Sequence, residues 1–275
     1  MRAPTDTIAA PLFPTQLPWV NTNDAKASIL KRGQPMLVEF WDFCRPNSIR
    51  TLPYMKEWHA RYEADGLRAI GVHCGGFEPS RDEQAVRAAV ARLGIEHAVL
   101  IDSEFELWRE YDNRGWPARY LFDGRARLFD YHYGEGGYLE TELAIQELLG
   151  VEREPLAPLR PEDAHDARLL PQTAEQPGAW SGAYEAGSVW AVLAPSGGHP
   201  EGHAQNAHGR QADAGTVTVN ATGGQSAPVR ERTVAVEHPG AYLLVEHERH
   251  TRGVLDLQPS AGVECLATCF TPGVA

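Results

Sequence analysis

Thiol chemistry in this chain rests on four cysteines, Cys44, Cys74, Cys265 and Cys269. Cys44 follows the apolar run Met36-Leu-Val-Glu-Phe-Trp41 and precedes Pro46, a residue suited to the first position of a helix. A thiol between a strand end and a helix N-terminus, next to Arg45, is expected in positive potential that lowers its pKa and raises its thiolate fraction. One such thiolate suffices to reduce a peroxide through a sulfenic acid or to form a mixed disulfide. Reversible exchange needs a second thiol to resolve that mixed disulfide, and Asn47 and Ser48 occupy the positions where a partner is expected.

Cys74 is the replacement candidate. Residues 36 to 42 and 67 to 73 read as neighbouring parallel strands, so Cys44 and Cys74 both follow strand carboxyl ends, where sites gather in open α/β sheets. A bridge between them requires Cα atoms within about 7 Å. Cys265 and Cys269, four residues apart on an extended strand, lie ~13 Å apart and read as core residues. His199, His203 and His208 fall in a polar, Gly-rich stretch that reads as a solvated loop, and neither a metal site nor a cofactor is expected.

The elements that must position these residues alternate up to about residue 150. Strands are expected at Pro35 to Trp41, Leu67 to His73 and His97 to Ile101, with helices at Asn47 to Ala64 and Ser80 to Leu93. Leu52, Met55, Trp58 and Tyr62 form one apolar helical stripe, and Ser80 with Glu83 and Ser103 with Glu106 have capping-box spacing. A hairpin around Asp123-Gly124 and a last helix from Leu139 to Leu149 complete a β-α-β-α-β-α-β-β-α order. The proline-dense segment 151–165 reads as a linker. Beyond it, short alternating runs separated by Pro, Gly and Ser predict an antiparallel β-sandwich over 166–275.

Composition narrows the classes. The chain has 275 residues and a net charge of -12, which argues against binding a nucleic-acid backbone. No apolar run reaches the ~20 residues of a membrane helix, and the start Met1-Arg-Ala-Pro lacks a signal-peptide core, so a cytoplasmic location with reduced cysteines is expected.

The motifs Phe40-Trp41, Arg50-Thr-Leu-Pro-Tyr54, Trp58-His59, Gly71-Val-His73, Ala88-Ala-Val-Ala-Arg-Leu-Gly94, Trp116-Pro-Ala-Arg-Tyr-Leu121 and Tyr131-His-Tyr-Gly-Glu135 occur in this order. As a set, the first 150 residues resemble the redoxin branch of the thioredoxin superfamily, in particular the thioredoxin-like part of DipZ-type thiol:disulfide interchange proteins. The tail, with Ala179-Trp-Ser-Gly182 and the run from Gly253 to Phe270, is similar to the C-terminal β-sandwich of that group, which is carbohydrate-binding-module-like. The resemblance implies an α/β thioredoxin-like fold of central mixed sheet and flanking helices, followed by an all-β antiparallel domain. It places the family's two cysteines on Arg45 and Ser48, or on Cys44 and Asn47 if the alignment slides by one residue. It implies a buried acid at Glu39, a cis-proline at Pro117 opposite the nucleophile, and a substrate groove with Trp41, Asn47, Trp116 and His73.

Two functions follow from different classes. The first is a thioredoxin-fold redox protein using Cys44, with Cys74 as resolving thiol, on a thiol or disulfide protein or a small peroxide. The second is a catalytically silent thioredoxin-like module that, with its β-sandwich, binds a protein or carbohydrate ligand.

Overall fold

A computed structural model of the chain describes residues 7–22, 33–196, 215–223 and 230–275. The chain divides into two compact units, Met1–His165 and Asp166–Ala275. The expected loop with His199, His203 and His208 lies outside the described residues. Among the described residues, no helix is long and apolar enough to cross a membrane.

The first unit is built on a six-stranded sheet. In chain order it comprises β1 (Trp19–Val20), β2 (Met36–Trp41), α1 (Pro46–Tyr62), β3 (Arg68–His73), α2 (Glu83–Arg92), β4 (Ala98–Ile101), α3 (Glu106–Glu110), β5 (Ala118–Phe122), β6 (Leu128–Tyr133) and α4 (Tyr138–Leu149). The strands lie in the order β1-β4-β3-β2-β5-β6. Pairs β2–β3 and β3–β4 are parallel, and β2–β5, β5–β6 and β1–β4 are antiparallel.

Strand β2 is buried along its whole length, and its period of two feeds two cores. Met36, Val38 and Phe40 join Leu107, Tyr111, Tyr120 and Phe122 on one face, whereas Leu37 joins Tyr54, Met55, Trp58 and Tyr62 of α1 on the other. The helical stripe read from the sequence is thus the buried face of α1. Pro46 sits in its first turn, where a missing N–H costs nothing.

Two helix starts differ from the capping-box expectation. At α2 the cap is Asp82, whose carboxylate accepts the Ala85 amide at 2.7 Å, while Ser80 closes a short turn on the Phe77 carbonyl. At α3 the buried Asp102 accepts the amides of Glu106 and Trp108, and Ser103 bonds to the Arg81 carbonyl. In both places a nearby Asp, two residues after Ser80 at α2 and just before Ser103 at α3, takes the cap, because a charged acceptor makes the stronger bond to orphan helix amides.

The segment 151–165 is held against the first unit. Val151 and Leu156 pack on the α1 side of the core, and the Leu156 and Leu159 amides donate to Glu142 and to the Tyr54 hydroxyl. Buried Arg50 of α1 pairs with Glu135 at 2.5 Å and with Glu162 at 2.8 Å. Asp163 accepts from the Tyr54 hydroxyl and pairs with Arg160. Proline density marked the absence of α-helix and strand here, apart from a short 3-10 turn at Pro161–Asp163, but the side chains between the prolines anchor the segment.

The second unit is antiparallel throughout. Its strands are β7 (Leu169–Leu170), β8 (Gln176–Pro177), β9 (Gly182–Pro195), β10 (Gly215–Gly223), β11 (Arg230–Val236), β12 (Gly240–Pro259), β13 (Val263–Thr271) and β14 (Gly273–Val274). Six form a sheet in the order β11-β10-β12-β9-β13-β8, and β7 pairs with β14. Among the short strands expected here, β12 instead runs long, and its pairing with β9 shifts register between Glu246 and Thr251. Val189, Ala191, Leu193, Val219, Leu255 and Phe270 share its apolar core.

Candidate functional site

Strand β2 ends by delivering Trp41, Asp42, Phe43 and Cys44 to the N-terminus of α1, whose N-cap residue is Arg45. Parallel pairing of Trp41 with His73 brings the end of β3 alongside, and the Cys74 amide donates to the Trp41 carbonyl at 3.1 Å. On the other side, β5 begins beside Phe40, just after a cis Trp116–Pro117 bond. The loop 74–82 and the residues before β5 therefore border the first turn of α1.

Asp42 organises this region. It is fully buried, and its carboxylate accepts the amides of Cys44 at 2.8 Å and Gly76 at 2.9 Å. Burial pushes its pKa up to about 6, against the opposing effect of those amides, Ser80 and Arg45. Sequence reading missed Asp42, although an acid directly after an apolar strand run is itself a signal of a buried carboxylate with a task.

The expectation of an acidified Cys44 is overturned. Its thiol is fully buried and its pKa is raised, first by desolvation and then by the Asp42 charge, with Ser80 and Arg45 offsetting only part. The helix N-terminus does lie next to Cys44 in sequence, but the side chain turns into the core, where the thiolate loses hydration. Cys74 is buried likewise; its thiol donates to the Asp102 carboxylate at 3.5 Å, and burial pushes its pKa up as well. Both thiols are free.

Arg45 and Ser48 take up the first turn. The Arg45 guanidinium lies 4.4 Å over the Phe77 ring and 5.0 Å from the Trp116 ring, a cation held between aromatic faces. Trp116, half-buried, donates its indole N–H to the Cys74 carbonyl at 2.9 Å and packs on Trp108 at 4.5 Å. Ser48 is buried, with its hydroxyl accepting the Asp42 amide at 3.2 Å. Asn47 is half-buried and Pro117 is buried.

Two residues expected in a substrate groove are not in one. Trp41 is 1% exposed and faces β3, where a Cβ on Gly71 would lie 2.9 Å from its indole nitrogen. His73 is also buried, stacks on Phe43, and accepts the Phe43 amide through Nε2 at 3.4 Å. Burial lowers its pKa to about 3, so it is a neutral structural residue. The family resemblance placed both in the groove; here Trp41 fills the space over Gly71, and His73 stacks inward on Phe43.

Glu39 lies deeper, on β2 opposite Arg119 of β5. Burial raises its pKa to about 7, partly countered by the Arg119 charge. Arg119 donates to the Gly136 carbonyl and lies over the Trp58 and Tyr138 rings. Among the described residues, no group of three or more His, Cys, Asp or Glu is arranged to hold a metal ion.

No family model matches the chain. DipZ of Mycobacterium bovis is 30% identical over 191 residues, which cover 65% of this chain and 28% of that protein. The thiol-disulfide oxidoreductase YkuV of Bacillus subtilis is 24% identical over 131 residues, covering 48% of this chain and 87% of YkuV. The first unit has a thioredoxin-like fold and is similar in sequence to these redoxin-like proteins. The chain spans little more than a quarter of the length of the DipZ proteins it matches. Among solved structures, a thioredoxin-like protein in the oxidised form is similar at 24% identity and a TM-score of 0.46, over 52% of this chain and 97% of that one. Arg45 is the N-cap of α1, and Ser48 lies in its first turn.

Proposed function

We propose that the first unit acts in thiol–disulfide biology as a binding domain, holding an extended segment of a thiol- or disulfide-bearing protein beside Pro117 without turning a disulfide over. The observation that carries this reading is the Arg45 guanidinium seated between Phe77 and Trp116 at the N-cap of α1, where disulfide exchange needs an accessible thiolate. Ser48, which has no thiol, stands one helical turn further on. An insulin-reduction assay tests it: turnover is expected at background, and turnover comparable to an ordinary thioredoxin would overturn it.

A second reading, single-thiol redox chemistry at Cys44, is supported by YkuV's printed activity and by the position of Cys44 and Cys74 after neighbouring strands. In that reaction the Cys44 thiolate attacks a peroxide oxygen, the O–O bond breaks, and a sulfenic acid forms with release of an alcohol or water. Cys74 would then displace hydroxide to close a disulfide. Burial of both sulfurs weighs against it at rest. For the second unit, the sequence resemblance to carbohydrate-binding modules supports a ligand-binding role, which a glycan-array screen of the full chain tests.

A further inference from the structure

Away from the cysteines, a groove of about 310 Å³ runs along β5 and β6, between residues 8–11 and the end of α3. Four tyrosines line it: Tyr111, Tyr120, Tyr131 and Tyr133. Their rings meet at steep angles, with Tyr111 and Tyr120 at 5.1 Å and 73°, Tyr120 and Tyr133 at 5.9 Å and 88°, and Tyr131 and Tyr133 at 5.5 Å and 63°. The Tyr120 hydroxyl donates to Asn113 at 3.0 Å and lies 3.3 Å from the Tyr133 hydroxyl, which fixes the orientation of these rings. Differently oriented π-faces around one space are what a cation senses, since each ring presents a negative face.

Two further features give the groove a sign. Glu110, exposed on its wall, forms no ion pair among the described residues. Tyr111, on the same wall, carries a buried hydroxyl with no hydrogen-bond partner among the described residues, an acceptor for an incoming N–H. Arg114, whose field reaches Tyr120 and Tyr133, is paired with Asp112 at 2.9 Å. We propose that this groove binds a small organic cation of the alkylammonium class, its charge over the tyrosine rings and beside Glu110. The site is independent of the thiol chemistry.

The test titrates the full chain with n-butylammonium chloride, with 1-pentanol as a neutral probe of similar size and sodium chloride at matched ionic strength as control. Amide NMR shifts in residues 110–133 are the readout. The ammonium is expected to bind saturably and about tenfold more tightly than the alcohol, since a desolvated cation–π contact is worth that much. Glu110→Gln is expected to weaken it several-fold with the fold intact, because Glu110 is exposed; Tyr133→Leu, at a half-exposed ring, should do the same. Equal affinity for both probes, absence of saturation, or unchanged binding in Glu110→Gln overturns the proposal.

Discussion

The carboxylate of Asp42 accepts the amide of Cys44 at 2.8 Å, and its charge raises the pKa of the same residue's thiol. Backbone order and thiol reactivity are thereby coupled in opposite senses: the bond that shapes the approach to α1 also holds the proton on sulfur. Reactivity toward alkylating agents follows thiolate character and access, so Cys44 is expected to be slow. Cys265, half-buried with a pKa raised to about 11 by burial, is more accessible than Cys44, Cys74 and Cys269. Limited iodoacetamide treatment of the folded chain at neutral pH, followed by peptide mapping, is expected to find Cys265 labelled first. Labelling of Cys44 ahead of Cys265 would instead favour the single-thiol reading.

Gly75 keeps the loop 74–82 closed over these thiols. A Cβ there would lie 2.3 Å from the Ser80 carbonyl oxygen, a backbone atom that cannot swing aside as a flexible side chain would. Gly75→Ala is expected to displace the loop, cost roughly 1–3 kcal/mol of stability as overpacking does, and raise the labelling rates of Cys44 and Cys74. Wild-type stability together with wild-type labelling would show that the closure does not depend on this approach.

Glu39 and Asp42 make the first unit's stability depend on pH with a definite sign. Their folded pKa values, about 7 and about 6, exceed their ordinary values of 4.5 and 3.8. Between those limits the folded chain keeps protons the unfolded chain has lost, so stability falls as pH rises from about 4 to 7. The share of Glu39 is at most on the order of 3 kcal/mol. Glu39→Gln, which mimics the protonated acid, is expected to unfold at higher denaturant concentration than the parent at pH 8 and to converge with it near pH 5. A parallel shift at both pH values would mean that Glu39 does not titrate in this window.

The sheet and helices of the first unit were legible because β2 and α1 announce themselves by period: Met36 to Trp41 is an uninterrupted buried run, and Leu52, Met55, Trp58 and Tyr62 repeat at helical spacing. The site was less legible. Sequence placed Cys44 beside a helix N-terminus, but adjacency along the chain does not tell which way a side chain turns. Its inward turn is fixed by the tertiary amide bonds of Asp42, one of them to Gly76 across a loop. Likewise Phe77 and Trp108 carry no motif, yet they form the aromatic setting of Arg45 and Trp116. Long-range partners of this kind leave no local pattern to read.

Arg50 tests the anchoring of residues 159–163. It is 3% exposed and holds Glu135 and Glu162 at once, so removing it leaves Glu162 without this partner and Glu135 with only the longer Arg160 contact at 3.8 Å. Breaking a buried ion pair from one side costs about 3–5 kcal/mol, whereas an apolar replacement of the whole set need not. Arg50→Met is therefore expected to lower the unfolding midpoint strongly and to speed proteolytic cleavage between residues 155 and 165. The triple variant Arg50→Met, Glu135→Gln, Glu162→Gln should recover much of the midpoint. No recovery would assign the loss to packing of the Arg50 stem rather than to unpaired charge.

Building a Cys-x-x-Cys pair into the first turn of α1 offers the sharpest test of the proposed lack of turnover. Arg45 is the N-cap and Ser48 lies in the first turn of α1, the spacing of a Cys-x-x-Cys pair at a helix start. In Arg45→Cys combined with Ser48→Cys, the N-cap thiol replaces a side chain that is only half-buried, beside the positive end of the helix, where its thiolate is favoured. The double variant is expected to form an intramolecular disulfide and to reduce insulin at least about tenfold above the parent, because the second thiol releases the mixed disulfide that a single one traps. Arg45→Cys alone should form mixed disulfides with small thiols without turnover, and Ser48→Cys alone should do neither, since its side chain is buried. If the double variant folds and closes its disulfide yet stays at background, access beside Pro117 is blocked. The absence of a thiol pair would then not account for the proposed lack of turnover, and the binding reading at that edge would fall with it.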